Sequence, residues 1–239
     1  MIIGPLPQVS IVVPVLHDFD AAAALLFRLP ADPQVEIVLV DGDYDERLDA
    51  LVCSRTDTRL VRSQSGRGHQ MNIGAAHSRA PWLLFLHADS TLPAGWRQRI
   101  TNLSPEICGG WFRFRLDDDA WQARVIERGV AIRVWLLRLP YGDQGIFVRR
   151  EVFDRLRGYR ELPLMEDVAF VRALRRYGPV AELPLALATS ARRWRRDGWL
   201  RRSARNIAVL LLYAVGVSPS RLARFYHRRA VRERIDRTT

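Results

Sequence analysis

Short apolar runs alternate with amphipathic stretches through the first half of the chain, the pattern of repeated β/α units with parallel strands. Residues 9–13 (VSIVV) predict a strand closed by Pro14, and residues 21–29 a helix. A second strand is expected at 35–40 (VEIVLV), running into Asp41, and a third at 58–61, followed by a helix over 68–78. The fourth, 81–86 (PWLLFL), does not alternate, as expected of a strand covered on both faces, and it runs into His87-Ala88-Asp89.

Past residue 100 the pattern changes. Residues 110–116 (GWFRFRL) alternate apolar with Arg, which predicts a half-exposed or edge strand rather than a central one. An amphipathic helix is expected at 121–139, a short strand at 145–148, a helix at 150–157 and another at 165–177 with Gly178 as its stop. Two short strands, 180–185 and 188–192, lead into two helices at 199–217 and 219–234. The fold class is therefore α/β, a mostly parallel sheet with helices on both faces and a C-terminal helical extension. The division drawn from it is a catalytic domain over 1–195 and a basic extension over 196–239.

At 239 residues, 48% hydrophobic and 26% charged, the chain can bury a full core, which excludes disordered, collagen-like and disulfide-framework classes. Its two cysteines, Cys53 and Cys108, are too few for a four-cysteine zinc site and give no sign of an oxidising compartment. The first residues lack the charge and cleavage pattern of a secretory signal. The longest apolar run, 207–217, is about half of the ~20 residues that span a bilayer. A cytoplasmic protein is expected, with peripheral attachment to the inner face of a membrane as an option. Net charge is +11, and its distribution matters more than its size. Residues 1–190 carry 23 arginines and 23 acidic residues, whereas 191–239 carry 14 against 3, so the surplus lies in the tail. There is no lysine, which a GC-rich genome explains more simply than function does.

In open α/β sheets ligands bind beyond the carboxyl ends of the strands. Polar groups gather there: Asp18 beside His17 after the first strand, Asp41 and Asp43 after the second, Arg67, Gln70 and Asn72 after the third, His87 and Asp89 after the fourth. Pro14 and its neighbours carry no G-x-G-x-x-G, which disfavours a dinucleotide dehydrogenase. Gly66-Arg67-Gly68 offers backbone amides and a guanidinium to a phosphate, or is a tight turn opening a helix. His87 and Asp89 suit Mg²⁺ or Mn²⁺ on phosphate oxygens, or else serve local hydrogen bonds and a turn. Glu166 and Asp167 open a helix; one suits its dipole and the other can act as a general base. The glycine-bracketed loop with Tyr141, Asp143 and Gln144 fits a substrate-lining turn or a plain connection. Arg192, Arg193 and Trp194 fit a diphosphate contact or a solvated basic face.

Taken in order, these motifs resemble the family 2 glycosyltransferases of GT-A fold, over residues 9 to about 194. GRGHQMNIGA, LFLHAD, PYGDQGIFVRR, PLMED and TSARRW are more narrowly similar to a small bacterial subgroup. That subgroup is named for radical-SAM and selenium-domain gene neighbourhoods and is also described as arsenosugar biosynthesis glycosyltransferases. The resemblance implies an inverting transfer of a sugar from a nucleoside-diphosphate-sugar donor, with a divalent cation on the diphosphate. It implies Asp41 at the base or ribose, Arg67 near the base or diphosphate, and Asp89 as the metal contact with His87 beside it. It further implies Asp167 as base with Glu166 second, and Arg193 and Trp194 on the acceptor side. The chain departs from the family pattern at His17-Asp18, at Asp43-Tyr44-Asp45, at His87 in place of an acid, and at Ser190.

The tail admits two readings: its apolar face packs on the body or on a second copy in a homodimer, or it lies on an anionic membrane surface next to a lipid-linked acceptor. The acceptor is otherwise a small molecule. A nucleic-acid-binding module is a competing class, but no aromatic-interleaved basic strand of the RNA-binding type is present and no nucleic acid is expected as a partner. A sugar nucleotidyltransferase would need a Gly-rich basic loop straight after the first strand, and there is none.

Overall fold

The first strand, β1 (Val9–Val15), buries apolar side chains at both odd and even positions, and the two parities face separate clusters. Val9, Ile11, Val13 and Val15 join one core and Val12 the other. β2 (Val35–Asp41) and β4 (Trp82–Phe85) are buried along their whole lengths in the same two-sided way. Such strands need helices on both faces. α1 (Phe19–Arg28) and α2 (Arg47–Cys53) cover one face; α3 (Arg67–Ala76) and α7 (Glu166–Tyr177) cover the other. Gly74 lets α3 lie close against β1, since a Cβ there would collide with Val12.

This computed structural model describes residues 6–226. The other elements are β3 (Thr58–Arg62), β5 (Ser90–Thr91), α4 (Trp96–Thr101), β6 (Gly109–Asp117), α5 (Trp121–Leu137), β7 (Ile146–Arg149), α6 (Arg150–Arg155), β8 (Val180–Ser190), α8 (Arg192–Asp197) and α9 (Trp199–Ala214). Sheet order is β3-β2-β1-β4-β7-β6-β8-β5. The first four strands are mutually parallel, so their carboxyl ends share one edge. β7 runs antiparallel to β4 and to β6.

Several expectations are corrected. β6 is not an edge strand; it stands between β7 and β8, with Gly109–Phe112 buried and only its later residues partly exposed. The alternation of Arg reports that second half, where β6 has run past its two-residue pairing with β7 and holds β8 alone. The two pieces expected at 180–185 and 188–192 are one strand, β8, whose register shifts opposite Phe112/Arg113 to absorb Pro184 and Leu185. α2, α4 and β5 are short and were not foreseen. In the tail, α9 packs on the body through Val209 and Leu210, in the same cluster as Val134 of α5. A further helical segment covers 219–226; the remainder of the helix expected to 234 lies outside the described residues.

Candidate active site

The loops after β1, β2 and β4, the start of α3, the 3-10 turn Gly142–Gln144 before β7 and the first turn of α7 converge on the shared carboxyl edge. Arg67, in the first turn of α3, places Nη1 3.3 Å from Glu166 Oε1. Asp167 accepts the Gly142 N–H at Oδ2 and the Val168 N–H at Oδ1, both at 2.7 Å. Pro14, Arg67, His87, Gly142, Tyr159 and Asp167 line one small pocket. Gly142 fits because it has no side chain: a Cβ there would lie 3.1 Å from His87 Nε2 and 3.4 Å from Asp167 Oδ2.

Buried polar atoms in this crevice without a hydrogen-bond partner among the described residues include His87 Nε2, Asp89 Oδ1, Asp143 Oδ1 and Tyr159 OH. Buried polar atoms are paired in the great majority of cases, so several orphans in one crevice mark a place built for a polar ligand. Burial displaces the titration of His87, Asp143 and Glu166. Burial, reinforced by the Arg67 and Arg193 charges, holds the His87 imidazole well below its usual range, so it is neutral. Burial pushes the Asp143 carboxyl up to about 6, Arg133 opposing and Asp167 adding to the rise. Burial raises Glu166 as well; Arg67 opposes this and Asp167 reinforces it.

At the rim, Arg193 Nη2 lies 3.7 Å from Asp89 Oδ2, and Arg192 donates to Asp18 Oδ2 at 2.8 Å, tying α8 to the end of β1. His17 pairs through Nδ1 with Asp43 Oδ2 at 2.5 Å. His17, Tyr44 and Met165 have φ of 52°, 59° and 69°, and all three stand on segments that enter the crevice. Left-handed backbone at non-glycine residues is costly and is concentrated at ligand-binding sites.

Other residues singled out from the sequence hold the scaffold. Asp41 is fully buried and accepts the N–H groups of Asp43, Tyr44 and Asp45 as well as an Arg62 guanidinium, so its carboxylate shapes the loop after β2. Gln70 donates to the carbonyls of Val15 and Val40 and ties β1 to β2. Asn72 makes two 2.8 Å bonds to the backbone of Tyr159. Gln144 is 1% exposed and donates to the Phe112 carbonyl. Trp194 packs against Phe114 with the Arg202 guanidinium over its ring. Tyr141 carries Arg133 on its ring face at 3.5 Å. Sequence reasoning missed Arg133, Arg62 and the Gly142 amide. Nothing marks those two arginines among 37, and a backbone donor leaves no sequence signal. A larger cleft of about 660 Å³ lies apart from this crevice, between α5 and β6, lined by Arg113, Arg128 and Trp135 among others.

No curated protein matches the chain. In structure it is similar to S. aureus TarS 1-349 in complex with UDP-GlcNAc, with a TM-score of 0.59 and 15% identity, over 77% of this chain and 58% of that one. It is similar also to S. aureus TarS 1-349, with the same TM-score and identity over 86% of this chain and 65% of that one. The chain thus spans less than two thirds of either, and at such identity the likeness shows a common fold, that of GT-A glycosyltransferases. The sequence model of Glycosyl transferase family 2 matches residues 10–157, more than half of the chain. That span runs from β1 to the end of α6 and carries Arg67, His87, Asp89 and Asp143; the chain belongs to glycosyltransferase family 2.

Proposed function

We propose that the protein moves a sugar, with inversion, from a nucleoside-diphosphate-sugar donor to an acceptor hydroxyl, on a small molecule or a lipid-linked substrate. The observation that carries this is the crevice with its unpaired buried polar atoms, His87 Nε2, Asp89 Oδ1 and Asp143 Oδ1 among them, walled by Arg67 and Arg193 and faced by Glu166 and Asp167. Arg67 and Arg193 bind the diphosphate and stabilise charge that builds on it as the sugar departs. Asp167 is the general base: its two amide donors fix the carboxylate, and it takes the proton of the attacking hydroxyl. Glu166, engaged with Arg67, positions that guanidinium. The UDP-GlcNAc held by TarS supports the donor class. The segments GRGHQMNIGA and PYGDQGIFVRR support the subgroup associated with radical-SAM and selenium-domain neighbourhoods.

A divalent cation, Mg²⁺ or Mn²⁺, fits the donor set. Asp89 Oδ1 and the neutral His87 Nε2 are unpaired and buried, and one or two carboxylates suffice when phosphate oxygens complete the shell. Among the described residues no three His, Cys, Asp or Glu side chains are grouped to hold a metal by themselves, so the diphosphate must supply the rest. Bound there, the cation would add positive charge beside the leaving group. The test is thermal denaturation with a panel of nucleoside diphosphates and nucleotide sugars, with and without Mn²⁺. Ligand at one hundred times its Kd stabilises by about 2.7 kcal/mol, which shifts Tm by about 5–10 °C for a chain of this size. One nucleotide that stabilises more with Mn²⁺ is expected; no response to any nucleotide overturns the proposal.

A further inference from the structure

Two helices, α5 and α9, are apolar on the side turned away from the core. On α5, Trp121, Val125, Ile132 and Leu136 recur at helical spacing, with Trp135 beside them, and every one is at least half exposed. On α9, Leu200, Ile207 and Leu211 form a second stripe at the same period, continued by Val215 after its end, again more than half exposed. The opposite faces of the two helices, Val134 on α5 and Val209 and Leu210 on α9, enter one core cluster, and the helices touch. Both stripes therefore turn away from that cluster, side by side.

From this we infer that α5 and α9 form a docking face for an anionic lipid bilayer, on which the protein lies without spanning it. Charge complementarity selects lipid. α9 has no acidic residue. The one in α5, Glu127, is turned inward and bonded to the Leu116 N–H and to Arg124. Arg128 and Arg138 stand exposed along α5 and at its end. Arg201 on α9 and Arg221 and Arg224 in the helical segment after it are exposed as well, while Arg202 and Arg205 pair with Asp197. Trp121 and Trp135 near the two ends of the α5 stripe suit the bilayer interface, where an amphipathic ring meets both acyl chain and headgroup. No helix among the described residues is long and apolar enough to cross a membrane, which is consistent with helices that lie in the interface plane.

This inference does not depend on the transfer reaction and is tested apart from it. The full chain is mixed with sedimenting vesicles of phosphatidylcholine alone or with about one third phosphatidylglycerol, and with the double variant Ile132→Glu/Leu211→Glu, whose sites are exposed and outside the crevice. The wild type should bind the anionic vesicles at least about tenfold more tightly than the neutral ones and lose most of that preference at high salt. The double variant should bind at least about tenfold more weakly while keeping the wild-type Tm, because glutamate on the acyl-facing side must be desolvated and is repelled by the headgroups. Failure of the wild type to bind anionic vesicles overturns the inference, as does equal binding by the variant. A lipid-free dimer that the double variant dissolves overturns it too, since the face would then join two copies of this chain.

Discussion

Asp41→Asn separates two roles for one carboxylate. The sequence resemblance places Asp41 at the nucleobase or ribose; the structure spends its oxygens on protein donors. Oδ1 accepts the Asp43 and Tyr44 amides at 3.0 and 3.1 Å, and Oδ2 accepts the Asp45 amide at 2.9 Å together with Arg62 Nη1. An asparagine has the same shape, but one oxygen becomes an NH₂. Whichever way the amide turns, two donors lose their acceptor and face another donor. Arg62 keeps Asp49 and the Asp45 carbonyl and is partly solvated, so its share of the loss is screened. The lost amide bond to a charged acceptor, with the screened guanidinium added, amounts to about 3 kcal/mol, equivalent to about 6–12 °C in Tm. Urea denaturation and thermal melts of ligand-free protein measure it. Nucleotide binding should weaken only as far as the loop 42–45 loosens. If Asp41→Asn melted with the wild type and still lost nucleotide binding, the carboxylate would be a direct ligand contact and the scaffold reading would fail.

Other expectations are as direct. Asp167→Asn should lower the transfer rate by about a hundredfold to ten-thousandfold while nucleotide affinity, read by calorimetry, stays near wild type; transfer at the wild-type rate would remove Asp167 as the base. Asp143, pushed from 3.8 to about 6, favours its neutral form in the fold, so its contribution to stability is full below about 3.8 and is lost as pH rises through about 6. In chelated buffer Asp143→Asn should therefore exceed the wild type by up to about 3 kcal/mol above pH ~7 and come close to it near pH ~4; equal stability of the two at high pH would contradict the buried carboxylate. Gly110→Ala should destabilise by at least about 3 kcal/mol, because a Cβ there would strike the Ala181 carbonyl oxygen and, 2.6 Å away, the Phe147 ring. A circular-dichroism melt within a few degrees of wild type would show that β6 and β8 are not packed as described.

The doubly covered strands β1, β2 and β4 were legible because a run such as VEIVLV, Glu36 apart, is apolar at both parities, and only a strand buried on two faces needs that. The crevice followed from the same reasoning, since parallel strands deliver their carboxyl ends to one edge. β8 was harder: the register shift that absorbs Pro184 and Leu185 looks like a break until the partner strand is known.

By itself the sequence determined the α/β class, the site's edge and many of the polar residues near it, all of which depend on local period and on strand direction. Only the tertiary structure decided which of those residues remain open to a ligand. Gln70 is satisfied by a carbonyl 55 positions away, Asn72 by a backbone 87 positions away and Gln144 by one 32 positions away, whereas His87, Asp89 and Asp143 each keep a buried atom unpaired. It also decided the outward turn of the α5 and α9 stripes, for a helix with two apolar faces does not say which one meets the core. Hydrogen-bond partners and buried faces are chosen by packing between distant segments, and no local pattern encodes that choice.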